Sequence, residues 1–443
     1  MILKNAQGVS VSGASAKAVA AYDAAVSGYN RFHGDPVALI DEAIADSPAF
    51  VMAHVLRAYL HLIGTDPAAV AIAGASLHEA SRLPASSGER GHIAAVEKLI
   101  DGEWRSALRI LEDVAIEQPR DIVAIQTGHV MDLVVGDTRM LRDRPARALP
   151  AWSASTPGYH ALVGMHAFGL EETGDYGNAE IAGRKALELE PTDGWAQHAV
   201  AHVLEMQARA REGLAFMLTN PDSWAKDNFL AVHNWWHTAL FHLEMGEFDQ
   251  VLALYDGPIA GEPTYLAFDM LDASAMLWRL NLRGVDVGDR WTALAEAWKT
   301  QAGDSIFAFN DVHAMIAFAS AGDRAGIEMV EAAQARGLKD RNDHAETLRL
   351  VGRNLTTGVR AFAEGDYKAA LAALRPVRNI ASRFGGSHAQ RDLIDLTIIE
   401  AALRGKDRAL ARALVCERAA VRPKSESVAE LVRRLPVSTT AEA

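Results

Sequence analysis

The chain has 443 residues, of which 49% are hydrophobic and 23% charged, a composition typical of a folded protein with a large core. Its 57 acidic and 44 basic residues give a formal charge of -13 spread along the sequence, which argues against nucleic-acid or acidic-membrane partners. The one cysteine, Cys416, allows neither an internal disulfide nor a thiolate metal cluster, as is usual in a reducing compartment. No apolar run approaches the ~18 residues of a membrane span. We therefore expect a cytoplasmic protein without nucleic-acid or membrane partners.

Apolar residues recur with the period of an α-helix along the whole chain. The clearest segments are residues 49–62, 158–172, 269–284 and 393–405. Between them, almost no segment alternates with the period of a β-strand. The proline-containing segment RDRPARALPAW (142–152) predicts a connection between helices. The pattern as a whole predicts an all-α fold.

Short glycine-marked segments divide the helical pattern into units. DGEWRSALRILED begins at residue 101, TGDYGNAEIAGRKALELEP at 173 and MGEFDQVLALYD at 245, so that Gly102, Gly174 and Gly246 stand 72 residues apart. This spacing equals two units of about 36 residues, close to the ~34 of a tetratricopeptide repeat. We predict a tetratricopeptide-like α-solenoid, a superhelix of stacked helix-turn-helix pairs, that forms a single domain over residues 1–435 with a disordered tail at 436–443.

Several runs are similar to one family. They are GMHAFGLEETGDYGNAEIAGRKALELEPTDGWAQHAVAHVLEMQARAREG, HNWWHTALFHLEMGEFDQVLALYD, LDASAMLWRLNLRG, RWTALAEAW and NDVHAMIAFASAGD. Together they resemble the tetratricopeptide-repeat protein 38 family, also called StaR-like. The resemblance implies a tetratricopeptide-like α-solenoid and carries no settled activity. An oxidative role has been suggested for the family, but this sequence has no nucleotide, flavin or haem signature.

One polar stripe stands out within HAVAHVLEM (198–206). At ~100° per residue, Trp195, His198, His202 and Glu205 fall on one face of a helix, away from its apolar side. HNWWH repeats the histidine pair, since each of its histidines follows its counterpart by 35 residues, about one repeat. Packed neighbouring helices lie about 8 to 10 Å apart. The two pairs are therefore predicted to converge.

Other polar residues occupy the corresponding first helices of later units, which in such arrays generally line the concave groove. His388 and Asp392, for example, repeat the spacing of His198 and His202. The candidate catalytic residues are His198, His202, Glu205, His233, His237, His313, His388 and Asp392. The candidate substrate contacts are His166, Trp195, Asn234, Trp236, Asp269, Asp272, Arg279, Asn310 and Arg391. Glu171 and Glu172, at a predicted helix end, are expected to be solvated.

Two kinds of chemistry suit this stripe. Two pairs of histidines four residues apart can bind a divalent metal, so His198, His202, His233 and His237 are possible metal ligands, although neither pair is an H-E-x-x-H motif. The metal-free alternative is acid-base catalysis by a histidine whose ring is oriented by Glu205 or Asp392. In either scheme, Arg279 or Arg391 would hold an anionic substrate group.

We therefore expect an enzyme of hydrolase or lyase type acting on a small molecule in the groove. The cofactor is unknown beyond a possible divalent metal, and a homo-oligomer is possible. The alternative is a non-catalytic scaffold that binds a peptide or protein, as helical-repeat superhelices commonly do. An enzyme should close its groove into a pocket of about 300 to 1,000 Å³, whereas a scaffold should leave it open.

Overall fold

The structure is a computed structural model that describes residues 3–262 and 264–435. Within these ranges it is helical apart from one short antiparallel hairpin, β1 (Leu3–Lys4) and β2 (Ser10–Val11). The predicted disordered tail, residues 436–443, lies outside the described residues.

The α-helices are α1 (Ala16–Arg31), α2 (Pro36–Asp46), α3 (Val51–Leu62), α4 (Ala69–Ser81), α5 (Ser87–Ile100), α6 (Trp104–Glu117), α7 (Ile122–Val134), α8 (Thr138–Ala148), α9 (Tyr159–Glu172), α10 (Tyr176–Leu189), α11 (Gly194–Met206), α12 (Ala210–Leu218), α13 (Asp222–Ala225), α14 (Ala231–Glu244), α15 (Phe248–Leu254), α16 (Ala267–Leu282), α17 (Arg290–Trp298), α18 (Ala308–Ala321), α19 (Arg324–Gly337), α20 (Asp343–Thr347), α21 (Arg353–Ala363), α22 (Tyr367–Leu374), α23 (His388–Arg404), α24 (Arg408–Val421) and α25 (Glu426–Arg433). Leu149–Ala151 and Arg375–Phe384 form 3-10 turns, and Tyr255–Ile259 and Leu348–Gly352 form π turns.

The glycine-marked segments are tight turns between consecutive helices. After α9, Gly174 adopts a left-handed conformation with φ of 86°, which a residue without Cβ tolerates best. Asp175 then caps α10 by accepting a hydrogen bond from the backbone N–H of Asn178 at 3.3 Å. The same pair of a positive-φ glycine and a capping aspartate precedes α8, α19 and α22. Each helix therefore packs mainly on its neighbours in sequence, an arrangement compatible with an α-solenoid.

The apolar core has two large parts that meet in the middle of the chain. One part extends from Val11 to Leu230, and the other from Trp236 to Leu431. Trp104 and Val134 pack against both parts. The boundary falls within α14, so the HNWWH segment lies where the two cores meet.

Residues far apart in sequence also make contact, and these contacts partly close the interior of the expected concave groove. The side chain of Asn310 donates a hydrogen bond to the carbonyl oxygen of Thr65 at 3.2 Å, and the N–H of Gly386 donates to that of Leu133 at 3.1 Å. Helix α23 packs against both α11 and α16. The C-terminal helix α23 therefore covers part of the polar face of the central helices.

Residues 142–152 were predicted to connect helices, but α8 continues through Pro145 to Ala148. Proline in a helix removes one backbone hydrogen bond. The residue before this proline, Arg144, forms a bidentate ion pair with Asp132 of α7, at 2.7 and 2.9 Å. Both side chains are 1% exposed. The prediction from proline was wrong because this tertiary pair and the packing around it hold the helix together.

Replacing Asp311 by asparagine is expected to change how stability depends on pH. The carboxylate is buried on α18, where it accepts hydrogen bonds from Ser305 at 2.6 Å and Gln334 at 3.1 Å. Burial raises its pKa from 3.8 to about 6. The folded state therefore binds this proton more readily than the unfolded state, so Asp311 lowers stability as the pH rises from about 4 to about 6.

Asp311→Asn should remove that loss, which is about 3 kcal/mol for a shift of this size. The measurement is urea unfolding at several pH values between about 4 and 7, comparing the slopes of the stability curves. Asp304→Asn, at an exposed carboxylate nearby, should leave the slope unchanged. Parallel curves for wild type and Asp311→Asn would contradict the raised pKa.

Candidate functional site

Four histidines from two neighbouring helices form one buried group, which we call the histidine tetrad. His198 and His202 lie on α11, and His233 and His237 on α14. Each is at most 3% exposed. One ring nitrogen from each lies within 4.8 Å of those of the others, and the Nε2 atoms of His198 and His233 are 3.1 Å apart. The structure thus brings together the two pairs that the repeat spacing predicted to converge.

The two helices are held in register by polar contacts at the start of α11. The Asp193 carboxylate caps this helix by accepting hydrogen bonds from the N–H groups of Trp195 and Ala196, at 3.1 and 3.0 Å. Asn234, at 0% exposure, donates from its side chain to the carbonyl oxygen of Gly194 at 3.3 Å. Asn234 was expected to contact substrate, but its side chain instead links α14 to α11.

Two rings of the tetrad bind carboxylates through their outer nitrogens. The Nδ1–H of His233 donates to the Asp272 carboxylate, whose two oxygens lie 2.9 and 3.0 Å away. The Nδ1–H of His237 donates to Glu205 at 3.2 Å. A hydrogen at Nδ1 leaves a lone pair on Nε2 of each neutral ring. The carboxylates thus fix the tautomers that present Nε2 as a ligand atom.

Glu171 lies beside a third ring. One of its oxygens is 3.4 Å from Nδ1 of His202, and the side chain is fully buried. Burial, with repulsion from Glu172, raises the pKa of Glu171 well above its usual value. Both glutamates were expected to be solvated, and that expectation is wrong because α11 and α23 cover this end of α9. The repeat spacing could have indicated that Glu171 faces the tetrad, since it precedes Glu205 by 34 residues, about one repeat.

Three rings of the tetrad, those of His198, His202 and His237, favour the neutral form. Burial lowers the pKa of His202 to about 4. It also lowers the pKa values of His198 and His237 well below their usual range, and repulsion between the imidazoles adds to the effect. Nε2 of both His202 and His237 is buried without a hydrogen-bond partner. Neutral imidazole is the form that binds Zn, Cu, Fe or Ni, so this group has the chemistry of a metal site.

An aromatic pocket opens beside the tetrad. It is partly open to solvent, and His198 and His233 lie in its wall. Trp195 also lines it, stacked on Phe32 with 5.5 Å between the ring centroids. The aromatic lining consists of Phe32, Trp195, Phe229, Phe268, Phe307 and Phe309. The pocket therefore suits a small, largely apolar molecule.

A second pocket, with a charged lining, lies on the other side of the tetrad. Glu205 and Arg279 lie in its wall, and the Arg279 guanidinium is 5.2 Å from the centroid of the Trp236 ring. Asp392 was expected to orient an imidazole, but it forms a two-pronged ion pair with Arg418 at 2.6 and 2.7 Å. That expectation is wrong because helix α24 supplies a stronger partner for the carboxylate.

Trp236 contacts the tetrad from outside, whereas His388 and Arg391 do not reach it. Trp236 lies flat against His233, with 5.3 Å between centroids and 12° between ring planes. It is fully buried, so it packs the site rather than forming an open wall. His388, at the first turn of α23, reaches Glu171 and Glu172 and not the tetrad itself. Arg391 pairs with Glu172 at 3.3 Å, so it is not the free cation expected for an anionic substrate group.

The remaining candidates make no hydrogen bond or ring contact with the tetrad, although the Asp269 carboxylate interacts electrostatically with His233. His313 donates from Nδ1 to the carbonyl oxygen of Phe309 at 2.8 Å, which makes it a packing residue instead of the expected catalytic one. Asn310 binds Thr65, and Asp269 accepts a hydrogen bond from Thr264 at 2.9 Å. His166 is half-buried, and none of the contacts described for this region joins it to the tetrad.

Models of known protein families were compared with the chain, and none matches it. Among the described residues, no helix combines the length and apolar character needed to cross a membrane.

Proposed function

We propose that the histidine tetrad binds a divalent metal ion and that the protein is a metal-dependent enzyme. Its substrate would be a small, largely apolar molecule held in the aromatic pocket. The observation that carries the proposal is the convergence of four buried imidazoles, two of which donate their outer N–H to a carboxylate. Histidine ligands of metals almost always have such an outer partner.

Without a bound cation, inner nitrogens of the tetrad are buried without hydrogen-bond partners. With Nδ1–H donated outward, Nε2 of His233 accepts its hydrogen bond from Nε2–H of His198, whereas Nε2 of His237 has no donor in reach. Burying an unpaired polar group costs about 1 to 3 kcal/mol. A cation bound between the rings would satisfy these lone pairs together. It would also compensate the negative charge of the surrounding carboxylates.

The position of His198 suggests how such a site would act. Among the tetrad it is the ring whose Nδ1 has neither a hydrogen bond nor a nearby carboxylate, and it lies in the pocket wall. It could serve as the fourth ligand or as a proton-transfer group beside a three-histidine site, which would leave a position for substrate. A metal held there would polarise a substrate oxygen or activate water, as hydrolase or lyase chemistry requires.

Metal content tests the proposal. Protein stripped with a chelator and dialysed against Zn²⁺, Mn²⁺ or Fe²⁺ should retain metal by elemental analysis. His237→Ala and His237→Gln should lose the ion held by the tetrad, because each removes a ligand. His242→Ala is the matched control, since this histidine lies on the same helix but pairs with Glu247 at 2.6 Å.

Circular dichroism and thermal unfolding of each variant would show that it is folded. A folded wild-type protein that retains none of these ions would contradict the proposal, and so would unchanged metal content in both His237 variants. Metal-free acid-base catalysis and the peptide-binding scaffold would then be the remaining hypotheses.

We also propose that the fold is tetratricopeptide-like and that the chain is related to the tetratricopeptide-repeat protein 38 family. Supporting this, Glu171 and Glu205 are the next-to-last residues of α9 and α11 and stand 34 residues apart, while His202 and His237 stand 35 apart on α11 and α14. A recurrence of about one repeat length in successive first helices is what stacked helix pairs require.

A further inference from the structure

A second group of possible metal ligands lies next to the tetrad. Glu171 and Glu172 are the last residues of α9, and His388 is the first residue of α23. One ligand atom from each lies within 4.8 Å of the others. His388 Nε2 is 3.8 Å from an oxygen of Glu171 and 3.6 Å from one of Glu172. The group thus joins two helices that are more than 200 residues apart in sequence.

The polar atoms of this group are unequally satisfied. Glu172 accepts hydrogen bonds from the backbone N–H of His388 at 2.7 Å and from Arg391 at 3.3 Å. Both oxygens of Glu171 are buried and accept no hydrogen bond. His388 Nε2 also lacks a hydrogen-bond partner. Arg391 can balance one carboxylate charge, so Glu171 requires either a bound cation or a proton of its own.

We propose that Glu171, Glu172 and His388 bind a second divalent cation, so that the protein holds two per chain. The inference deepens the proposed function and rests on it for the first ion. Two carboxylates and an imidazole provide a mixed oxygen and nitrogen donor set, which Mn²⁺, Fe²⁺ and Zn²⁺ accept. A cation there would bind the free oxygen of Glu171 and the free nitrogen of His388, and would compensate the second carboxylate charge.

Glu171 would connect the two sites. Its Oε2 faces Nδ1 of His202 at 3.4 Å, and its Oε1 faces Nε2 of His388 at 3.8 Å. The same carboxylate would therefore bind the second cation directly and hold a ligand of the first one. Because metal-binding histidines depend on such outer partners, the two sites should influence each other's affinity.

The competing explanation is that Glu171 carries a proton. A neutral carboxylic acid could stay buried at modest cost, and the site would then bind no ion. Glu171→Gln distinguishes the two cases, because the amide has the shape of the protonated acid but is a poor metal ligand. With a proton at this site, the substitution would leave metal content unchanged. With a cation there, it should remove the second ion.

The experiment counts ions per chain after stripped protein is dialysed against Zn²⁺ or Mn²⁺. We expect two for wild type and for His242→Ala, and one for Glu171→Gln and His388→Ala. One ion in wild type, retained by both variants, would overturn the second site and leave the tetrad standing. If wild type binds one ion and His388→Ala binds none, the site at Glu171, Glu172 and His388 would be supported and the metal site at the tetrad would be overturned. No ion in folded wild type would overturn both.

Discussion

Asp132→Ala is expected to lower the free energy of unfolding by about 3 to 5 kcal/mol, the usual cost of breaking a buried ion pair. Asp132 is the carboxylate partner of Arg144, which is 1% exposed. Removing the carboxylate leaves the guanidinium buried without a counter-charge. Burial raises the pKa of Asp132 to about 6 against the opposing pull of Arg144, so the pair is charged at pH 7.5. Urea unfolding at that pH would measure the loss.

Two comparisons separate the missing charge from a general effect of substitution. On the surface, Asp256 and Arg290 form a similar bidentate ion pair. Asp256→Ala should cost less than about 1 kcal/mol, because exposed pairs contribute little. The double variant Asp132→Leu with Arg144→Met should recover most of the stability, since no buried charge remains. If Asp132→Ala cost no more than Asp256→Ala, the buried pair would not be what holds α8 against α7.

The sequence pattern predicted which residues of the central helices share a face. A helix repeats every 3.6 residues, so the spacing of His198 and His202 determines their common direction without knowledge of the fold. The 35-residue interval to His233 then predicted that the next helix would present the same face to them. Both inferences depend on periodicity, and the structure indeed brings the four rings together.

The sequence pattern did not predict which helices pack over that face. His388 and Asp392 have the same local spacing as His198 and His202, yet one reaches Glu172 and the other pairs with Arg418. Spacing within a helix does not say which distant helix packs on it. The burial of Glu172 depends on α23, 216 residues further along the chain at His388.

If the tetrad binds a metal ion as proposed, Asp272→Ala is expected to weaken that binding by about 10- to 100-fold, the usual effect of removing the outer partner of a histidine ligand. Asp272 is 1% exposed and accepts the Nδ1–H of His233 at 2.9 Å, so its loss leaves that ring free to turn and to change tautomer. Competition with a chromogenic chelator would measure the affinity for Zn²⁺.

Asp269→Ala is the matched control, since Asp269 lies one turn earlier on α16 and accepts its hydrogen bond from Thr264. The Asp269→Ala variant should bind Zn²⁺ with an affinity within about threefold of wild type, because Asp269 does not contact a ligand ring. Equal losses in the two variants would mean that general charge near the tetrad, and not the orientation of His233, governs the binding of the ion.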